Sequence, residues 1–248
     1  VQARVFRRSG GFTTSLVVVE PGRSAADTQA ASGAGGSAHA DAVRPTIRSR
    51  AEWGADESLV QEPPSYAQAH LVFVHHTAGA NTYQPADVPA ILRGIMSFHV
   101  LGRGWNDIGY NALVDKFGTI WEGRAGGLDQ AVVGAHTLGH NSWSFGVSVL
   151  GDYTQTPPTL ATLDALARYV AWKFTLHGDP VYGQVFASDG LFNRISGHRD
   201  GQQTDCPGQL LYDQLPTIRT KVAALVGQLS VTPLNRSVNG DGYTDVLV

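Results

Sequence analysis

The sequence predicts an α/β domain: a central mixed β-sheet flanked by helices. Two observations carry this. Apolar runs of strand length alternate along the chain with segments whose apolar residues recur at helical spacing, so strands and helices intermix. One turn signal, Asp115-Lys116-Phe117-Gly118, joins two strands as a hairpin, while helical segments separate the others and require crossovers.

Taken in order, Leu71-Val72-Phe73-Val74 reads as a short buried strand. Val88, Ile91, Leu92, Ile95 and Phe98 recur at helical spacing and predict a helix over about 87–99 with one apolar face. Residues 110–114 and 119–122 form the hairpin, and 145–150 a further strand. Leu160, Leu163, Ala167, Val170, Ala171 and Phe174 mark the longest helix, closed by Gly178. Ile195-Ser196 leads as a short strand into His198. Pro207 suits the first turn of a helix, and a last helix is expected over 218–229.

At 248 residues, with 42% hydrophobic and 16% charged residues, the chain can bury a sizeable core. The net charge of −3 and the lack of a basic patch argue against a nucleic-acid partner. No apolar run approaches the roughly 18 residues of a membrane span, so no transmembrane segment is expected. A single cysteine excludes an internal disulfide framework and leaves the compartment unspecified. The first residue is Val, which suggests a chain processed or cut from a longer one.

Three regions are expected. Residues 1–44 read as the tail of a preceding β-rich region followed by an Ala/Gly/Ser-rich linker over 25–42. Residues 45–229 form the folded domain. Residues 230–248 are a linker ending in Asn239-Gly240-Asp241-Gly242, which reads either as the start of a calcium-binding repeat or as a plain turn.

The chemistry gathers on one cysteine and two histidines. Cys206 follows His198 in the run Gly197-His198-Arg199-Asp200 to Thr204-Asp205-Cys206-Pro207-Gly208, and the apolar strand at 71 ends in His75-His76-Thr77. Two imidazoles and a thiolate are a three-ligand zinc set with an open fourth position, the pattern of catalytic zinc. A helix starting at Pro207 would favour the thiolate at Cys206. The spacing is also met by a buried cysteine and ordinary histidines, since the chain holds nine of them.

Further runs discriminate. Arg48-Ser49-Arg50-Ala51-Glu52-Trp53-Gly54, Val74-His75-His76-Thr77-Ala78, Gly104-Trp105-Asn106-Asp107-Ile108-Gly109-Tyr110-Asn111, Trp121-Glu122-Gly123-Arg124, Val133-Gly134-Ala135-His136-Thr137 and the His198–Cys206 segment occur in one order. Together they make the segment from about 45 to 225 resemble the peptidoglycan recognition protein family, which shares its fold with phage-type N-acetylmuramoyl-L-alanine amidases. The resemblance implies zinc held by His75, His198 and Cys206, with Tyr110 and Thr204 as catalytic groups. Thr204 stands where phage amidases carry lysine. His136 and Asn141 are implied to contact substrate, a peptidoglycan muropeptide, and the setting is implied to be extracellular.

The family includes non-catalytic peptidoglycan-binding modules that typically lack the cysteine. Retention of Cys206 favours a zinc amidase that cuts the lactyl–L-alanine amide; a binding module is the alternative, and a zinc hydrolase of another amide a third. His76 should point away from the metal, His99 reads as a satisfied core histidine, and Asp200 either orients a ligand histidine or fixes its loop. Glu122 reads as a paired carboxylate. The segment 125–131 is longer than the family pattern, and Trp143 stands where an arginine is common in binders of diaminopimelate peptides. Selection of the stem peptide is therefore left open.

Overall fold

The computed structural model describes residues 2–4, 17–19 and 44–227. Strands β1 (Gln2–Arg4) and β2 (Val17–Val19) pair antiparallel. The Ala/Gly/Ser-rich stretch and the Asn-Gly-Asp-Gly segment lie outside the described residues. The larger compact unit spans His39–Leu229.

Within that unit the elements run β3 (Ile47–Arg48), α1 (Arg50–Trp53), β4 (Leu71–His76), α2 (Val88–Ser97), β5 (Ala112–Val114), β6 (Ile120–Glu122), β7 (Ser144–Val149), α3 (Leu160–His177), β8 (Gln184–Ala187), β9 (Gly190–Asn193), β10 (Ile195–Gly197), α4 (His198–Gly201), α5 (Gln209–Tyr212) and α6 (Leu215–Leu225). Six strands form one mixed sheet in the order β10-β4-β7-β5-β6-β3. The neighbours from β10 to β5 are parallel, and β5–β6 is the antiparallel hairpin. β4 lies inside the sheet between β10 and β7, and all six of its residues are buried, which is why it reads as an unbroken apolar run before its histidines.

Strand alternation sorts the core into layers. Val72 and Val74 of β4, Ala112 and Val114 of β5, and Phe145, Val147 and Val149 of β7 share one core with α3 and α6. Leu113 and Trp121 turn to the other face and meet Trp53 and the Val88, Leu92 and Met96 stripe of α2. On that second face β7 offers only Ser144, Gly146 and Ser148, so a space opens beside His75. Helix α3 is capped as its sequence dictates: Thr159 Oγ1 accepts from the Thr162 N–H, and Gly178 ends it at φ 72°.

Four details depart from expectation. The β8–β9 hairpin was not expected; it covers Leu71 and Phe73 with Ala187 and Phe192. Helix α2 stops at Ser97 and continues as a π-helical turn, Phe98–Gly102. Its apolar residues serve two surfaces rather than one: Val88, Leu92 and Met96 are buried, whereas Phe98 is 55% exposed. The last helix begins earlier, at Leu215. Finally, no helix starts at Pro207. Gly208 adopts φ 84°, its N–H donates to the Asp205 carbonyl at 2.7 Å, and α5 begins only at Gln209. A turn around Cys206–Pro207 replaces the expected helix N-terminus.

Candidate metal centre

Parallel pairing brings the two histidines together. Gly197 of β10 pairs with Val74 of β4, so the next residues, His198 and His75, lie side by side where both strands end. Their ring centroids are 4.4 Å apart. The C-terminal ends of parallel strands are where clefts form in α/β sheets. The 202–206 loop returns Cys206 to the same point, and donor atoms of His75, His198 and Cys206 all lie within 4.8 Å of one another.

The spacing fits a tetrahedral ion. Ligands about 2.0–2.3 Å from such a centre stand roughly 3.5 Å apart, and Cys206 Sγ lies 3.7 Å from His75 Nδ1. The free nitrogens suit the task as well. His198 Nε2 is 2.7 Å from Gln202 Oε1, which takes its proton and leaves Nδ1 as a lone-pair donor. Burial, reinforced by the charges of His136 and His198, holds the His75 pKa well below the ordinary imidazole value. Burial lowers that of His198 too. Both rings are thus neutral, the form a metal requires. Burial pushes the Cys206 thiol up to about 12, opposed by the His76 N–H and by Arg199. The His76 N–H points at Sγ from 3.3 Å. The dipole favouring a thiolate therefore comes from the end of β4, not from a helix.

A cavity of about 490 Å³ opens beside His198 and Cys206, with the buried His75 behind them, and is bordered by His76, Thr77, Ile95, Phe98, Trp105, Tyr110 and Thr204 among others. Tyr110 lies 5.3 Å from His75, ring to ring. Burial, with the nearby Cys206 charge, pushes its phenol up to about 12, so it is a hydrogen-bond donor at neutral pH. Thr204 Oγ1 accepts from the Cys206 N–H at 3.2 Å, which leaves its own proton free to donate.

Two residues implied to touch substrate sit elsewhere. His136 is 7% exposed and does not line the cavity. Its Nδ1 is 3.3 Å from His75 Nε2, the ring nitrogen opposite the one that faces Cys206. Asn141 Oδ1 accepts from the N–H groups of His136 and Thr137 at 2.9 Å each, folding the loop back. Neither His136 nor Asn141 is among the residues that border this cavity. The cause is the small-residue surface of β7: a Cβ at Gly146, or at Gly134 opposite, would collide with the His136 ring.

Other expectations resolve similarly. His76 borders the cavity without joining the three donors, and its Nδ1 accepts from the Tyr153 N–H at 3.2 Å. His99 Nδ1 accepts from the Gly109 N–H at 3.1 Å, and the buried ring borders the cavity beside Trp105 and Tyr110 rather than lying in the core. Glu122 accepts from the Arg50 N–H at 3.2 Å. Asp200 fixes its loop, accepting from the Gly197 N–H and the Tyr212 hydroxyl. Gln202 contacts His198 instead; it lies four residues on, one helical turn, and that spacing was a readable signal. The 125–131 segment is a pinned turn, because Lys173 Nζ donates to the carbonyls of Leu128 and Gln130 at 2.9 and 3.1 Å.

Comparison with known proteins agrees with the geometry. A family model described as N-acetylmuramoyl-L-alanine amidase matches residues 65–209. The human N-acetylmuramoyl-L-alanine amidase is 36% identical over 182 residues, covering 70% of this chain but only 28% of the human protein. The chain thus spans under a third of that relative's length. Peptidoglycan-recognition protein SC2 of Drosophila simulans is 33% identical over 172 residues, 69% of this chain and 85% of that protein. A crystal structure of peptidoglycan recognition protein-LE in complex with tracheal cytotoxin superposes with a TM-score of 0.59 at 33% identity, covering 69% and 92% of the two chains. Strand order, site geometry and these matches together place the chain in the N-acetylmuramoyl-L-alanine amidase and peptidoglycan-recognition protein family.

Proposed function

We propose that residues 45–229 form a zinc-dependent N-acetylmuramoyl-L-alanine amidase domain. Its substrate is the amide joining the muramic lactyl group to L-alanine in peptidoglycan. The observation that carries this is the convergence of two neutral imidazoles and the single cysteine beneath an open groove. A solved relative of the same fold is in complex with tracheal cytotoxin, a monomeric diaminopimelic acid-type peptidoglycan.

Zinc held by His75, His198 and Cys206 would supply a Lewis acid and a water acidic enough to ionise near neutral pH. The chain supplies the rest. Tyr110, protonated at neutral pH, donates from the cavity wall to the oxygen that gains charge as the carbonyl becomes tetrahedral. Thr204, its oxygen already engaged by the Cys206 N–H, aims its proton into the same cavity. Phe98, Ile95 and Trp105 give the groove an apolar wall that excludes water from one side of the substrate. Because the proposed substrate is cell-wall material, the domain acts outside the cytoplasm. No helix among the described residues is long and apolar enough to cross a membrane.

The test is metal content together with a variant. The purified chain is expected to hold one zinc, and Cys206→Ser to lose both the zinc and the turnover of muropeptides while still binding them. Full turnover in a metal-free Cys206→Ser protein would refute the proposal.

A further inference from the structure

His75 presents its two nitrogens to different surroundings. Nδ1 faces Cys206 Sγ at 3.7 Å, and Nε2 faces the buried side of the site. Two polar atoms lie there: Thr137 Oγ1 at 3.4 Å and His136 Nδ1 at 3.3 Å. Those two atoms are themselves 3.1 Å apart. A ring that binds a metal through Nδ1 must carry its proton on Nε2, and whatever accepts that proton's hydrogen bond sets the ring's orientation.

We propose that Thr137 and His136 form a neutral relay that fixes the tautomer and orientation of His75 as a zinc ligand. The inference rests on the zinc reading above and makes both positioning residues, since neither lines the cavity. A hydroxyl can accept and donate at once. Thr137 accepts from His75 Nε2–H and hands its own proton to His136 Nδ1, while His136 Nδ1 also lies within direct reach of His75. Either route requires a lone pair on His136 Nδ1 and places the His136 proton on Nε2, a buried atom without a protein hydrogen-bond partner among the described residues.

The surroundings hold this arrangement rigidly. Thr137 is fully buried and His136 nearly so. Asn141 ties down both backbone N–H groups, and Gly134 and Gly146 form a slot that only a ring flanked by glycines can occupy. Among the described residues no carboxylate hydrogen-bonds His75, although a carboxylate is a common partner of a metal-bound histidine. A neutral relay leaves the Cys206 thiolate as the only anion supplied to the metal by the three ligands and this partner pair. Zinc would then keep a net positive charge, and with it more power to polarise a carbonyl.

The experiment measures zinc affinity by chelator competition and the visible absorption of the cobalt-substituted chain, neither of which depends on turnover. Thr137→Val and His136→Phe are expected to weaken zinc about 10–100-fold and to alter the cobalt bands. Thr137→Ser, which keeps the hydroxyl, is expected to restore wild-type behaviour. Wild-type affinity and spectrum in Thr137→Val or in folded His136→Phe would overturn the relay, as would an equal loss in Thr137→Ser. Thermal melting of the metal-free variants checks folding, and if His136→Phe does not fold, the two Thr137 variants decide. A wild-type chain that binds neither zinc nor cobalt would instead sink the zinc reading, a result distinct from failure of the relay alone.

Discussion

The two ends of β4 carry histidine clusters of opposite character. At its C-terminal end, His75 and His198 meet a thiol and other imidazoles, and no carboxylate hydrogen-bonds either ring among the described residues. At its N-terminal end, His70 Nδ1 lies 3.0 Å from Asp179, which also takes Arg194 at 2.9 Å. His177 stacks nearby on Phe145 with centroids 5.0 Å apart. Each end contains at least two histidines and a further potential ligand. Only one offers uncompensated lone pairs under an open groove. Counter-charge and geometry, more than residue type, separate a metal centre from a structural histidine cluster.

The comparison can be broken at either end. The largest expected effect is that of Cys206→Ser, which should abolish zinc-dependent turnover, while muropeptide binding measured by calorimetry persists. Next is Tyr110→Phe, expected to lower kcat by about 10²–10³, the cost of one transition-state hydrogen bond at roughly 3–4 kcal/mol. Zinc content should not change in that variant.

Metal uptake should depend on pH with a definite sign. The buried thiol, pushed up to about 12, is protonated at neutral pH, so binding zinc as thiolate releases a proton. The two imidazoles, already lowered, release none in that range. Apparent zinc affinity should therefore rise by at least about tenfold per pH unit above about pH 7, with ionisation of a bound water adding to the thiol's proton. Calorimetry in buffers of different ionisation heat reads the proton directly, and its absence would contradict the assignment of Cys206.

The smallest effect on the site belongs to the opposite end of the strand. Asp179→Asn strips the buried partner from Arg194 and should cost about 1–3 kcal/mol of stability, seen as a lower Tm. Zinc affinity and turnover should stay at wild-type levels. A drop in zinc affinity there would mean the two clusters are coupled through β4.

Much of the site was legible because its signals are local. His75 ends an apolar strand, and His198 and Cys206 share a loop. Tyr110 was legible only through the family resemblance, since a tyrosine on a hairpin strand otherwise reads as a packing residue. What escaped depends on distant partners. The burial of His136 follows from Gly146 on β7, and from the alternation that turns Gly146 and Ser148 toward His75 rather than toward α3. Thr137 gains meaning only when β4 is laid beside β7. The π-helical turn after Ser97 moves Phe98 into the groove, and helical spacing alone assigns that residue to the core. The β8–β9 hairpin could have been read, since Ser188-Asp189-Gly190 sits between apolar pairs at 185–186 and 191–192. The two-residue strand Ile47–Arg48 has no such pattern; it exists because β6 offers it a parallel edge.

The most direct measurement is hydrolysis of defined muropeptides, followed by mass spectrometry, with the chain stripped by chelator and again after zinc is restored. Release of free stem peptide beginning with L-alanine, only when zinc is present, is the expected result. Tight binding with no cleavage in either state would contradict the account and leave a recognition module, while cleavage within the stem peptide would make the domain an endopeptidase.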